Sequence, residues 1–174
     1  MPSEKNGYTI GFSLTCGMNN TTILFVKEQN TRVLIVTSKN EHVEACGNAI
    51  EKELRKASFQ VSRKNAAETT IPMVNAADIL IFGIHGTQLP PEFSEINRAF
   101  TGINLAGRTG ALFVDASESA AGSLKEMLKD TDINLSSQVF YCRRESSTVN
   151  SSALTKWVQT ILKTYRDMIH ERQF

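Results

Sequence analysis

The run from Ala77 to Pro91 constrains this chain more than any other stretch. Its first half, Ile79-Leu80-Ile81-Phe82-Gly83-Ile84, is continuously apolar, as expected of a strand buried on both faces inside a parallel sheet. Its second half, His85-Gly86-Thr87-Gln88-Leu89, is a mainly small and polar loop ending in Pro90-Pro91, and proline suits the first turn of a helix. Phe93, Ile96 and Phe100 then keep helical spacing. A central strand thus opens through a loop into a helix. In open α/β sheets ligands sit beyond the carboxyl ends of the strands, where the chain order reverses. Residues 84–89 are therefore expected to form the floor or wall of a site.

From residue 31 onward strands and helices alternate, the signature of a parallel sheet covered on both faces. Strands are expected near 33–36, 59–62, 78–83, 110–114 and 139–142. Val43, Cys46, Ile50 and Leu54 place an amphipathic helix over 41–56, and a short turn of helix fits 71–76. Further helices fit 92–100 and the segment from Ser123 to Leu128, with Gly122 read as a loop residue close to the latter's start. A long stripe from Leu154 to Ile169 closes the series, with Ser151 or Ser152 as its N-cap. Right-handed crossovers leave few topologies. The commonest is a three-layer, doubly wound, five-stranded parallel sheet in order 2-1-3-4-5.

Residues 1–31 follow another pattern. Tyr8, Ile10, Phe12 and Leu14 alternate with polar or small residues, a turn cluster follows at Gly17, Asn19 and Asn20, and Thr21 to Val26 is β-rich. This reads as a hairpin extension of a single domain spanning 32–174. A lone hairpin is not stable in water, so it is expected to lie on the domain or on a second subunit. The last helix offers another route to a homodimer. Ser151 to Arg172 would span about 33 Å, longer than a five-residue strand can cover, so its end around Met168 and Ile169 can reach a neighbour.

A net charge of +1 argues against nucleic acid or an anionic membrane surface as partner, and no apolar run has membrane-spanning length. The N-terminus lacks a signal-peptide pattern, and the cysteines (Cys16, Cys46 and Cys142) are odd in number and include no CxxC. Three reduced thiols in a cytoplasmic protein are the expectation. Neither cysteines nor histidines show metal-ligand spacing, so no metal is expected.

With Val33 to Leu54, "ADILIFGIHGTQLPPEF" and "LAGRTGALFVDASESAAGSLKEML" laid out as strand, loop and helix, the chain from about residue 32 to 171 resembles the flavodoxin-like family. The resemblance implies FMN as cofactor and electron transfer, or a related small oxidoreductase role, with a redox protein or a small molecule as partner. It puts the phosphate at Thr37, Ser38, Lys39, Asn40 and His42, where hydroxyls and helix N-terminal amides can cradle an anion. It puts the ring between Ile84, His85, Gly86 and Thr87 on one side and Asp115, Ala116, Ser117 and Ser119 on the other. The family's phosphate loop reads roughly T/S-x-T-G-x-T. Here its glycine is Asn40, which can adopt a left-handed conformation, its last threonine is His42, and the ring-flanking loops hold no Trp, Tyr or Phe. The alternative is a non-flavin binding or scaffold module of the same fold.

Response-regulator receivers share the topology, but phosphoryl transfer there needs acidic residues after the first strand and an aspartate ending the third. Those places hold Thr37-Ser38 and Gly83-Ile84-His85, and Asp78 lies at the opposite end of its strand. A receiver-like module that only binds partners would fit.

Single residues carry competing readings. His85 suits proton transfer or a hydrogen bond to a flavin edge, or is an ordinary loop histidine. The Asp115 to Ser119 cluster either contacts a ring or caps the following helix. Ser38 beside His42 lacks the G-x-S-x-G elbow of a hydrolase. Cys142, next to Arg143 and Arg144, carries a minority reading as a reactive thiol.

Overall fold

The computed structural model describes residues 30–115, 118–142 and 151–172. The hairpin expected over residues 8–26, Ala116, Ser117, Arg143 and Arg144 lie outside them. Strands β1 (Arg32–Thr37), β2 (Gln60–Asn65), β3 (Ile79–Ile84), β4 (Thr109–Val114) and β5 (Asn134–Tyr141) form one sheet in the order β2-β1-β3-β4-β5, every neighbour parallel. This is the expected doubly wound order.

Register follows from burial. All of β3 is buried, so each of its residues must face an apolar layer, and Val33 pairs with Ile79 while Ile84 pairs with Val114. One layer packs Val33, Ile35, Ile79 and Ile81 under helices α1 (Glu41–Lys56) and α5 (Ser151–Glu171). The other packs Leu34, Val36, Leu80 and Phe82 under α3 (Ser94–Phe100) and α4 (Glu118–Leu128), with the short α2 (Ile71–Ala76) contributing Val74. Alternate residues of one strand thus serve opposite cores. The edge of Phe100 meets the Phe82 ring across this second layer.

Some boundaries differ from expectation. β5 begins at Asn134, ahead of the apolar run, because an edge strand buries only some of its positions and tolerates Ser137 and Gln138 in the open. The segment after Pro90 starts as a 3-10 turn over Pro91–Phe93 before α3. Gly122 lies inside α4, not in a loop before it, because Ala120, Ala121, Leu124 and Leu128 bury the helix face and outweigh one poor helix former.

The cysteine expectation is overturned for two of the three residues. Cys46 on α1 and Cys142 just past β5 are joined in a disulfide across 96 residues. Cys142 therefore offers no free thiol there. The cause is tertiary: the buried face of α1 and the end of β5 meet in the same core layer.

Gly83 is required by a close approach. A Cβ there would collide with the Phe113 ring of the neighbouring strand. The glycine leaves room for the far end of that ring beside β3.

Candidate functional site at the carboxyl end of the sheet

The loops after β1, β3 and β4 converge at the carboxyl end of the sheet, on either side of the switch point between β1 and β3. Backbone bonds tie them together: the Ser38 N–H donates to the Gly83 carbonyl at 2.9 Å, and the Asp115 N–H to that of Ile84 at 3.4 Å.

In the first loop the chain uses its own groups to satisfy the helix start. Asn40 is extended, with φ −139°, and is the N-cap of α1; its side-chain oxygen accepts from the amides of His42 at 3.0 Å and Val43 at 3.3 Å. The left-handed conformation open to Asn40 is not used. The Lys39 amide donates to the Glu92 carboxylate at 2.9 Å. Thr37 is buried and its hydroxyl donates to Glu44 at 3.0 Å, while Glu44 is ion-paired with Arg63. Ser38 is buried as well, and its hydroxyl accepts the His85 N–H at 3.2 Å. Lys39 is exposed and His42 sits on the exposed face of the first turn.

In the second and third loops, Ile84 is the last residue of β3 and fully buried, so its side chain belongs to the core. His85 turns its Nδ1 onto the carboxylate of Asp115, and the other oxygen of that carboxylate accepts the Gly86 N–H at 3.3 Å. Gly86 has φ +90°, a conformation that favours glycine, and this places its amide toward Asp115. Asp115 is 1% exposed whereas the His85 ring is 38% exposed. The carboxylate orients the ring, and Nε2 is the nitrogen left for a ligand. Thr87 is exposed, and its carbonyl accepts the Ser119 hydroxyl at 2.8 Å, pinning this loop to the first turn of α4. Asp115 thus spends its carboxylate on the facing loop.

Thr37 and Ser38 stand at the turn, but their hydroxyls are engaged within the protein; Lys39, Asn40 and His42 ring the same turn. His85, Gly86 and Asp115 form one hydrogen-bonded unit, with Thr87 and Ser119 beside it. Sequence reading did not single out Glu92, Glu44 or Arg63. Only the acidic residue directly after Pro90-Pro91 hinted at a helix-start role for Glu92.

An FMN phosphate needs free hydroxyls and amides at this turn. Several of the expected donors are engaged within the chain: Asn40 takes the His42 and Val43 amides, Glu92 takes that of Lys39, and the Thr37 hydroxyl faces Glu44. The Glu92 carboxylate also sets a negative charge where a phosphate would need a donor. In this arrangement the residues do not fit the phosphate.

No protein-family model and no curated protein matches the sequence. Solved structures do match by shape. A short-chain flavodoxin associated with a bacterial microcompartment superposes with a TM-score of 0.69 at 14% identity, over 78% of this chain and 99% of that one. Oxidised flavodoxin 1 from Bacillus cereus gives 0.67 at 16% identity, over 77% and 98%. The rubredoxin oxygen:oxidoreductase of Desulfovibrio gigas gives 0.68 at 13%, covering 85% of this chain but 39% of that larger one. Among the described residues no helix is long and apolar enough to cross a membrane. At such identities the likeness speaks for architecture alone, and together with the parallel sheet in order 2-1-3-4-5 it establishes that the chain has a flavodoxin-like fold.

Proposed function

We propose that this chain is a flavodoxin-fold binding module that works without FMN and presents His85 at the switch point as its polar contact. The observation that carries the reading is the Lys39 amide donating to Glu92, beside a cap in which Asn40 takes the His42 and Val43 amides. A phosphate would have to displace a carboxylate of the chain itself. The ring-flanking loops offer no Trp, Tyr or Phe on which an isoalloxazine could stack, over residues 84–88 and 115–121. The fold alone does not settle the matter, because one scaffold hosts many functions.

The second reading is FMN-linked electron transfer with a redox protein as partner. It is favoured by the convergence of the same three loops that the family resemblance assigns to phosphate and ring. Titrating the protein with FMN while following flavin fluorescence and polarisation separates the two. The binding-module reading expects no change up to high micromolar protein. Saturable quenching at one flavin per chain overturns it and leaves the electron carrier.

A further inference from the structure

At the opposite end of the sheet, beside the amino-terminal halves of β1 and β2, lies a groove of about 490 Å³. Leu34, Phe59, Val61, Met73 and Ala76 line it, together with Arg32. It is independent of the site at the carboxyl end. The cause of the groove is local. The connection between β2 and β3 carries a helix of only six residues, too short to cover the strands beside it. Met73, on that helix, is one of two large hydrophobic side chains exposed among the described residues.

We infer that this groove is the seat of the chain's own amino-terminal segment, residues 8–26, which docks there through its apolar side chains. The connectivity carries the argument. Arg32 lines the groove, so the chain enters the domain at its mouth. From Val26 to Arg32 is a step of six residues, which reaches at most about 20 Å. A connection of that length lets Ile23, Phe25 and Val26 reach the groove. A tether that short gives an effective concentration in the millimolar range, so a second copy or a foreign peptide competes at a disadvantage. The segment also has what the groove lacks. Tyr8, Ile10, Phe12 and Leu14 alternate with polar or small residues, and burying their apolar surface in the groove is favourable. Docking satisfies both surfaces at once.

The test uses the full chain with the photo-crosslinking residue p-benzoylphenylalanine replacing Met73, which is exposed enough to accept it. Irradiation is expected to give a link within a monomer, mapped by mass spectrometry to residues 8–26. Links found only to a second copy, or none to residues 8–26, overturn the inference. Hydrogen exchange supplies a second readout. In the double variant Ile23→Asp, Phe25→Asp, amides at 60–62 and 73–77 should exchange at least ten-fold faster than in the parent, with 79–84 unchanged. Unchanged protection at the groove overturns the inference, and if the double variant does not fold the crosslink in the parent sequence decides.

Discussion

Asp115 and His85 face each other across the carboxyl ends of adjacent strands, and the aspartate, almost wholly buried, holds the imidazole Nδ1 with one oxygen and the Gly86 amide with the other. Nothing in the sequence spacing announces the pair, which are 30 residues apart. The sheet makes them neighbours because β3 and β4 pair in register up to Ile84 and Val114.

Asp115→Asn keeps the shape of the side chain and removes its charge. Loss of the charge-assisted bonds is expected to lower stability by about 1–3 kcal/mol in a urea titration. The nitrogen spectrum of His85 should change from one ordered tautomer toward an averaged pair. An unchanged spectrum would show that the carboxylate does not orient the ring.

The Cys46–Cys142 disulfide closes a loop of 96 residues. A native bridge over so long a loop contributes about 2–5 kcal/mol, mainly by restricting the unfolded chain. Denaturation with and without a thiol reductant should therefore show a lower midpoint in the reduced protein. Cys142→Ser should match the reduced parent and no longer respond to reductant. Equal midpoints in all three would dismiss the contribution.

Two glycines predict opposite outcomes for the same substitution. Gly122→Ala adds a methyl group in open space within α4, so removing the glycine penalty should raise stability by about 0.5–1 kcal/mol. Gly83→Ala drives a Cβ into the Phe113 ring, which the strand pairing holds in place. Overpacking of that kind costs about 1–3 kcal/mol or more. Thermal unfolding of both variants beside the parent checks the pair, and a stabilised Gly83→Ala would contradict the packing described here.

Glu53 ties α1 to α5. The hydrogen bond from Lys56, then the one donated by the Thr155 hydroxyl, holds its carboxyl below the ordinary carboxylate range. A lowered pKa in the folded state means that its contribution to stability is present above the unfolded-state pKa and is lost as pH falls through the folded value. Thr155→Val should move the carboxyl titration of Glu53, followed by carbon NMR, upward toward the ordinary range. No movement would leave Lys56 as the sole cause.

The strands, their order and the end of the sheet where loops converge are legible in the residue pattern. Ile79 to Ile84 is too uniformly apolar to be anything but buried on both faces, and Val43, Cys46, Ile50 and Leu54 recur at a period only a helix presents to one side. These are local signals, legible because side-chain direction repeats along a strand or helix. The extent of β5 was partly hidden, since an edge strand tolerates polar residues that read as loop. The pairings between distant groups came from folding: Glu92 on the Lys39 amide, Asp115 on His85, and Cys46 with Cys142. Whether a hydroxyl, amide or thiol is free depends on what folding brings within about 3 Å of it, and no periodicity in the chain encodes that distance.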